Sequence, residues 1–145
     1  ELIQLHKSLG FLLLGLIILR IGWRLGNAAP ALPASTGALE RRTAPLAHLA
    51  LYAFQLALPL SGWALVSVSM LEIPSMPFNL FVMPNLPLGL SDTAENFWAA
   101  VHWYLAYAGI ALVVLHIAAA LRHHFWLRDS VFTRMITPSS APDME

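Results

Sequence analysis

Apolar residues in this chain are gathered rather than spread. Three long runs, residues 2–25, 46–70 and 97–121, carry few charges, and the polar residues fall between and after them. At 1.5 Å per residue each run is long enough, as a helix, to cross a hydrocarbon layer of about 30 Å. The pattern predicts an all-α protein, a transmembrane helical bundle with three spans. The first connection, "GNAAPALPASTGALERRTAP", is rich in Gly, Pro, Ser and Thr and reads as irregular. The second, "LEIPSMPFNLFVMPNLPLGLSDTAEN", is Pro-rich yet apolar, and is expected to lie against the bilayer surface or to cap the bundle. After the third span come basic and aromatic residues of the kind found at membrane interfaces, then a polar end. Residues 1–138 are therefore assigned to one transmembrane domain and 139–145 to a polar tail.

Composition agrees with the pattern. The chain is 58% hydrophobic and only 11% charged, against roughly a quarter charged in a soluble domain. Zero net charge leaves no basic face to suggest nucleic acid. The absence of cysteine removes disulfides, thiolate metal sites and covalent c-type haem attachment, so any cofactor must be held non-covalently. Arg20, Arg24, Arg41 and Arg42 flank the first connection, and Arg122, Arg128 and Arg134 follow the third span. The second connection has no Lys or Arg. The positive-inside rule then makes the first connection and the C-terminus cytoplasmic, with the N-terminal end of the first span outside. Because nothing upstream of Glu1 could act as an insertion signal in that orientation, a preceding helix is expected.

The candidate chemistry lies in the histidines, because an ionisable group at hydrocarbon depth costs a few kcal/mol unless it is satisfied. His123 and His124, beside Arg122 and Trp126, read as interfacial anchors. His102 and His116 differ. Fourteen residues at about 100° each bring them to the same helix face, about 21 Å apart along the axis. Between them on that face stand Ala106, Gly109 and Val113, small enough to leave room for something flat. In the first span His6 lies at the level of His102, and Gly10, one turn on, again clears space. Two imidazoles facing each other across a bundle are how a b-type haem is held, each giving one nitrogen to iron. His116 needs a partner near the cytoplasmic surface, where depth permits His48 and where a histidine on the absent helix would also serve.

Two further features bear on this picture. Arg20 lies fourteen residues after His6, at the inner level, where it could pair with haem propionates or simply snorkel to the interface. In the second span His48, Tyr52, Gln55, Pro59 and Gly62 form a stripe. Gln55 must find a hydrogen bond, and Pro59 is expected to kink the helix and free a carbonyl. The stripe could line a quinone-sized cleft or hold helices together.

On "LHKSLGF", "LAHLALYAFQLALPLSGW", "VHWYLAYAGIALVVLHIAAALRHHFW" and "RDSVFTRMITP", nearly the whole chain resembles the bacterial cytochrome b561 family of di-haem membrane cytochromes. The resemblance implies a four-helix bundle in the inner membrane with two b-type haems and a quinone as redox partner, the first helix being the one this sequence lacks. It implies that His6 and His102 hold the outer haem, and that His116 pairs with a first-helix histidine at the inner one. His48 then falls at a non-ligand position near the inner haem or a quinone. Without the first helix, the outer haem is expected to be the better held.

Three functions follow as expectations. The leading one is electron transfer across the membrane to or from a quinone pool; one form of it, by resemblance, is superoxide oxidation coupled to ubiquinone reduction. The outer connection, however, offers Glu72, Asp92 and Glu95, and Lys7 is the only cation nearby. The second is an anchor subunit joining a dehydrogenase or hydrogenase partner to quinone. A haem-free scaffold or metal carrier is the third.

Overall fold

The structure is a computed structural model and describes residues 1–27, 37–122 and 125. Among the described residues there are three α-helices: α1 (Leu2–Gly26), α2 (Ala38–Val68) and α3 (Asp92–Arg122). All three are long and apolar enough to cross a membrane. Between α2 and α3 there is one 3₁₀ turn, Pro77–Asn79, and one antiparallel bridge joins Ser75 to Met83. The expected all-α bundle with three spans is thus the architecture found. His123, His124 and the polar tail lie outside the described residues.

Two helices start earlier than the hydrophobic runs. α2 begins at Ala38, within the stretch read as irregular, and continues through both Pro45 and Pro59. The segment "ALERR" consists of strong helix formers and can extend the helix beyond the apolar run. α3 begins at Asp92 because Ser91 caps it. The Ser91 hydroxyl accepts the Ala94 N–H at 3.3 Å, and Asp92 and Glu95 place negative charge in the first turn.

α2 is the central helix. It packs against both α1 and α3, whereas α1 and α3 make no backbone contact with each other among the described residues. Few side chains are buried, with Leu14, Ile17, Ala64 and Val68 forming the apolar core. The outward faces of all three helices are Leu, Ile, Val and aromatic residues, as a lipid-facing surface requires.

The second connection caps one end of the bundle. Trp63 Nε1 donates to the Pro84 carbonyl at 3.0 Å, and Leu86 N–H donates to Ser67 Oγ at 2.9 Å. On the α1 side, Phe78 N–H donates to Ser8 Oγ at 2.9 Å, and Gln4 and Lys7 donate to the carbonyls of Pro74 and Ile73. Buried serines thus give the loop's backbone the partners that the hydrocarbon would deny it. Phe78 and Asn79 hold positive φ, 49° and 59°, at the tight turn above Ser8.

Ser67 donates to the Trp63 carbonyl while accepting from Leu86. Ser67→Ala leaves the Leu86 N–H without its acceptor and is expected to cost about 1–3 kcal/mol. Denaturation of the detergent-solubilised protein, followed by tryptophan fluorescence, measures that loss; unchanged stability would contradict it.

Candidate functional site

The helices bring the four described histidines together as two pairs at opposite ends of the bundle. His6 of α1 and His102 of α3 stand with ring centres 6.0 Å apart and planes at 84°. At the other end His48 of α2 and His116 of α3 stand 5.9 Å apart with planes at 68°. Two imidazoles that ligate one metal from opposite sides sit about 6 Å apart centre to centre, since each metal–nitrogen bond is ~2 Å and each ring adds a further ~1 Å. Both pairs have this spacing. Among the described residues no cluster of three or more His, Cys, Asp or Glu side chains forms, so the closed three- or four-ligand set of a zinc site is not assembled here. A pair of imidazoles with nothing else suits a group that fills its remaining positions itself, as a porphyrin does.

His102 is the anchored member. Its Nδ1 lies 3.1 Å from the Leu58 carbonyl oxygen and 3.0 Å from Ser61 Oγ. Ser61 spends its own hydroxyl hydrogen on the Leu58 carbonyl, at 2.7 Å. Neither oxygen has a proton left for the ring, so the proton of this contact belongs to Nδ1, which donates to both. Nε2 is left with its lone pair, free to coordinate. Gly62 supports the same ring: a Cβ there would meet His102 Cε1 at 3.1 Å, tighter than side-chain carbons normally approach.

The His6–His102 pair lines a cleft of about 170 Å³ with Lys7, Gly10, Phe11, Pro59 and Trp63 among its walls. Phe11 and Trp63 meet edge to face, 5.6 Å between ring centres, and join α1 to α2 at this level. Gly10 has nothing within 4 Å of the position a Cβ would take, so it leaves open space beside His6. Gly109 does not have that freedom. The Phe54 ring of α2 packs against it, 3.3 Å from where a Cβ would stand, so the small residue at 109 accommodates a neighbouring helix.

At the other end the Arg20 guanidinium lies over the Tyr52 ring, 5.9 Å from its centre, one helical turn along α2 from His48. Arg20 and Arg24 are both within electrostatic reach of His48. Arg24 also closes the end of α1 through the Asn27 carbonyl at 2.9 Å. The structure therefore gives His116 the neighbour that depth alone allowed, His48. Ser61 and the Leu58 carbonyl had no signal in the sequence, because a serine inside a hydrophobic helix ordinarily satisfies itself on its own backbone.

The glycines separate cleanly. Gly10→Ala is expected to stabilise α1 by up to about 1 kcal/mol through helix propensity, and Gly62→Ala to destabilise the protein by displacing the His102 ring. Thermal unfolding of the two apoproteins, compared with the parent, checks both signs.

Comparison with known proteins shows the family. The model of the family described as prokaryotic cytochrome b561 matches residues 1–138. Cytochrome b561 homolog 2 of Escherichia coli (strain K12) is 32% identical over 140 residues, covering 95% of this chain and 72% of that protein. Cytochrome b561 homolog 1 of the same organism is 29% identical over 136 residues, covering 92% and 73%. The "Probable superoxide oxidase CybB" of Yersinia pestis is 29% identical over 133 residues, again covering 92% and 73%.

Proposed function

Since the chain belongs to the prokaryotic cytochrome b561 family, membrane electron-transfer proteins that carry b-type haem, we propose that it passes electrons between the outer face of the inner membrane and a quinone, with His6 and His102 as the residues that would hold the outer haem. The observation that carries the reading is the His6–His102 pair, at ligating separation and with the proton of His102 held on Nδ1. When bound, the haem would supply a one-electron carrier at the level of His6 and His102.

The chain's own residues do the rest. Leu58 and Ser61 hold the His102 ring, Gly62 gives it room, and Gly10 keeps the wall beside His6 open. At the inner level His116 is the ligand, facing His48 in this chain. By family resemblance, a histidine of an additional helix is the alternative partner. Arg20 offers a guanidinium at that level to carboxylates of the inner haem. Tyr52 and Gln55, further along α2, are the polar side chains nearest in sequence for a quinone headgroup. The first connection and the C-terminus face the cytoplasm in this reading, because the arginines cluster there.

The reading predicts an optical pattern. His6→Ala and His102→Ala remove the same low-spin haem, His48→Ala leaves that haem in place, and His116→Ala affects the other level only. Reduced-minus-oxidised spectra with haem stoichiometry check this; a His102→Ala protein that keeps the spectrum of the parent would refute the assignment.

The Yersinia pestis relative supports a second reading, superoxide oxidation. Two superoxide anions would each give one electron and leave as oxygen, and a quinone would take up two electrons and two protons. The outer connection offers no Lys or Arg to attract the anion, and the Lys7 ammonium is already turned to the Ile73 carbonyl. Any superoxide-dependent quinone reduction by this chain is therefore expected to change little with salt. A steep fall between low and physiological ionic strength, followed in a stopped-flow assay, would show steering that these residues do not explain.

A further inference from the structure

Of the four paired imidazoles, His102 alone has a hydrogen bond to another described residue; among the described residues the rings of His6, His48 and His116 have none. The asymmetry has a specific source in α2. The Leu58 carbonyl is a helix acceptor that stays accessible to the ring because residue 62, one turn later, has no side chain to cover it. Ser61 sits beside that carbonyl, is itself 3% exposed, and turns its own hydrogen toward the Leu58 oxygen. Its oxygen lone pairs are then directed at the ring. Leu58, Ser61 and Gly62 together form a ledge that holds His102 Nδ1–H between two acceptors in a low-dielectric setting, where such bonds are strong.

We propose that this ledge is a positioning element that sets the reduction potential of the outer haem, with Ser61 as the tuning residue; the inference rests on His102 being a haem ligand. A ligand imidazole whose far N–H is hydrogen-bonded is a stronger electron donor to its metal, and a stronger donor favours the ferric over the ferrous state. Two acceptors on one N–H hold the outer potential low. The Leu58 carbonyl is part of the backbone and cannot be removed by substitution, so Ser61 is the part of the ledge that sequence can vary. His6 lacks a described hydrogen bond, which concentrates the tuning on the His102 side.

The test is a redox titration of the outer haem in the parent, Ser61→Ala and Ser61→Thr proteins, all as holoproteins in detergent. Ser61→Ala removes one acceptor, so the midpoint rises. At fixed ambient potential the ferric-to-ferrous ratio is expected to fall roughly tenfold, which for one electron is about 59 mV. Ser61→Thr keeps the hydroxyl and should restore the parent value. A purely structural serine would lower haem content in Ser61→Ala with the midpoint unmoved, and that outcome overturns the proposal.

Should Ser61→Ala not assemble, ¹⁵N spectra of histidine-labelled parent protein in the reduced state decide instead. His102 must show a protonated, hydrogen-bonded Nδ1; an unprotonated Nδ1 overturns the ledge. A parent protein in which His102→Ala keeps the outer haem would refute the ligand assignment itself, a failure separate from an unmoved midpoint.

Discussion

An N–H held at hydrocarbon depth has to end on an oxygen inside the protein, since lipid offers none. For the His102 ring that oxygen belongs to α2, and the choice has consequences beyond the single bond. It ties α3 to the central helix and commits Nδ1, so that Nε2 is the nitrogen left for a metal. It also places the ring against Gly62, where no other residue type would fit without moving it. His6 is brought to the same level by different means: the contact of Phe11 with Trp63 and the burial of Leu14 and Ile17 along the α1–α2 seam. One side of the His6–His102 pair is fixed by hydrogen bonds and the other by packing.

The two ends of the bundle are built from opposite chemistry. The His6–His102 end is closed by a loop without Lys or Arg, held by serines that take up its backbone N–H groups. The His48–His116 end carries Arg20 and Arg24 close to His48, with Tyr52 beneath the Arg20 guanidinium. Cationic charge near a metal-bound ring favours the reduced state, and a strong ligand favours the oxidised one. In the proposed ligation, with His48 facing His116 as a ligand, the two levels would carry opposing influences, and electrons would run downhill from the His6–His102 level to the His48–His116 level.

The spans were legible because hydrophobicity over twenty or more residues has one physical reading, and the fourteen-residue spacing of His102 and His116 fixes their common face by geometry alone. Helix starts were less legible. Ser91 with Asp92 and Glu95 is a capping signal that lies outside the apolar run, and "ALERR" extends α2 by propensity into a stretch whose Gly, Pro, Ser and Thr read as irregular. The ledge under His102 could not be read at all. It depends on a carbonyl lone pair and on the side chain missing at Gly62, and one-dimensional patterns record neither. Gly109 shows the converse: a small residue signals close approach, without saying that the approaching body is Phe54.

Each pair draws one histidine from α3, and α1 and α3 share no backbone contact among the described residues. The interval between the two levels is therefore carried by a single helix and acts as a ruler. Shifts of α1 or α2 can loosen or tighten either clasp, yet they cannot stretch that interval. In the proposed two-haem relay, the length of the hop would then be written as a residue count, protected from the tilts and thickness changes that a bilayer imposes on its neighbours.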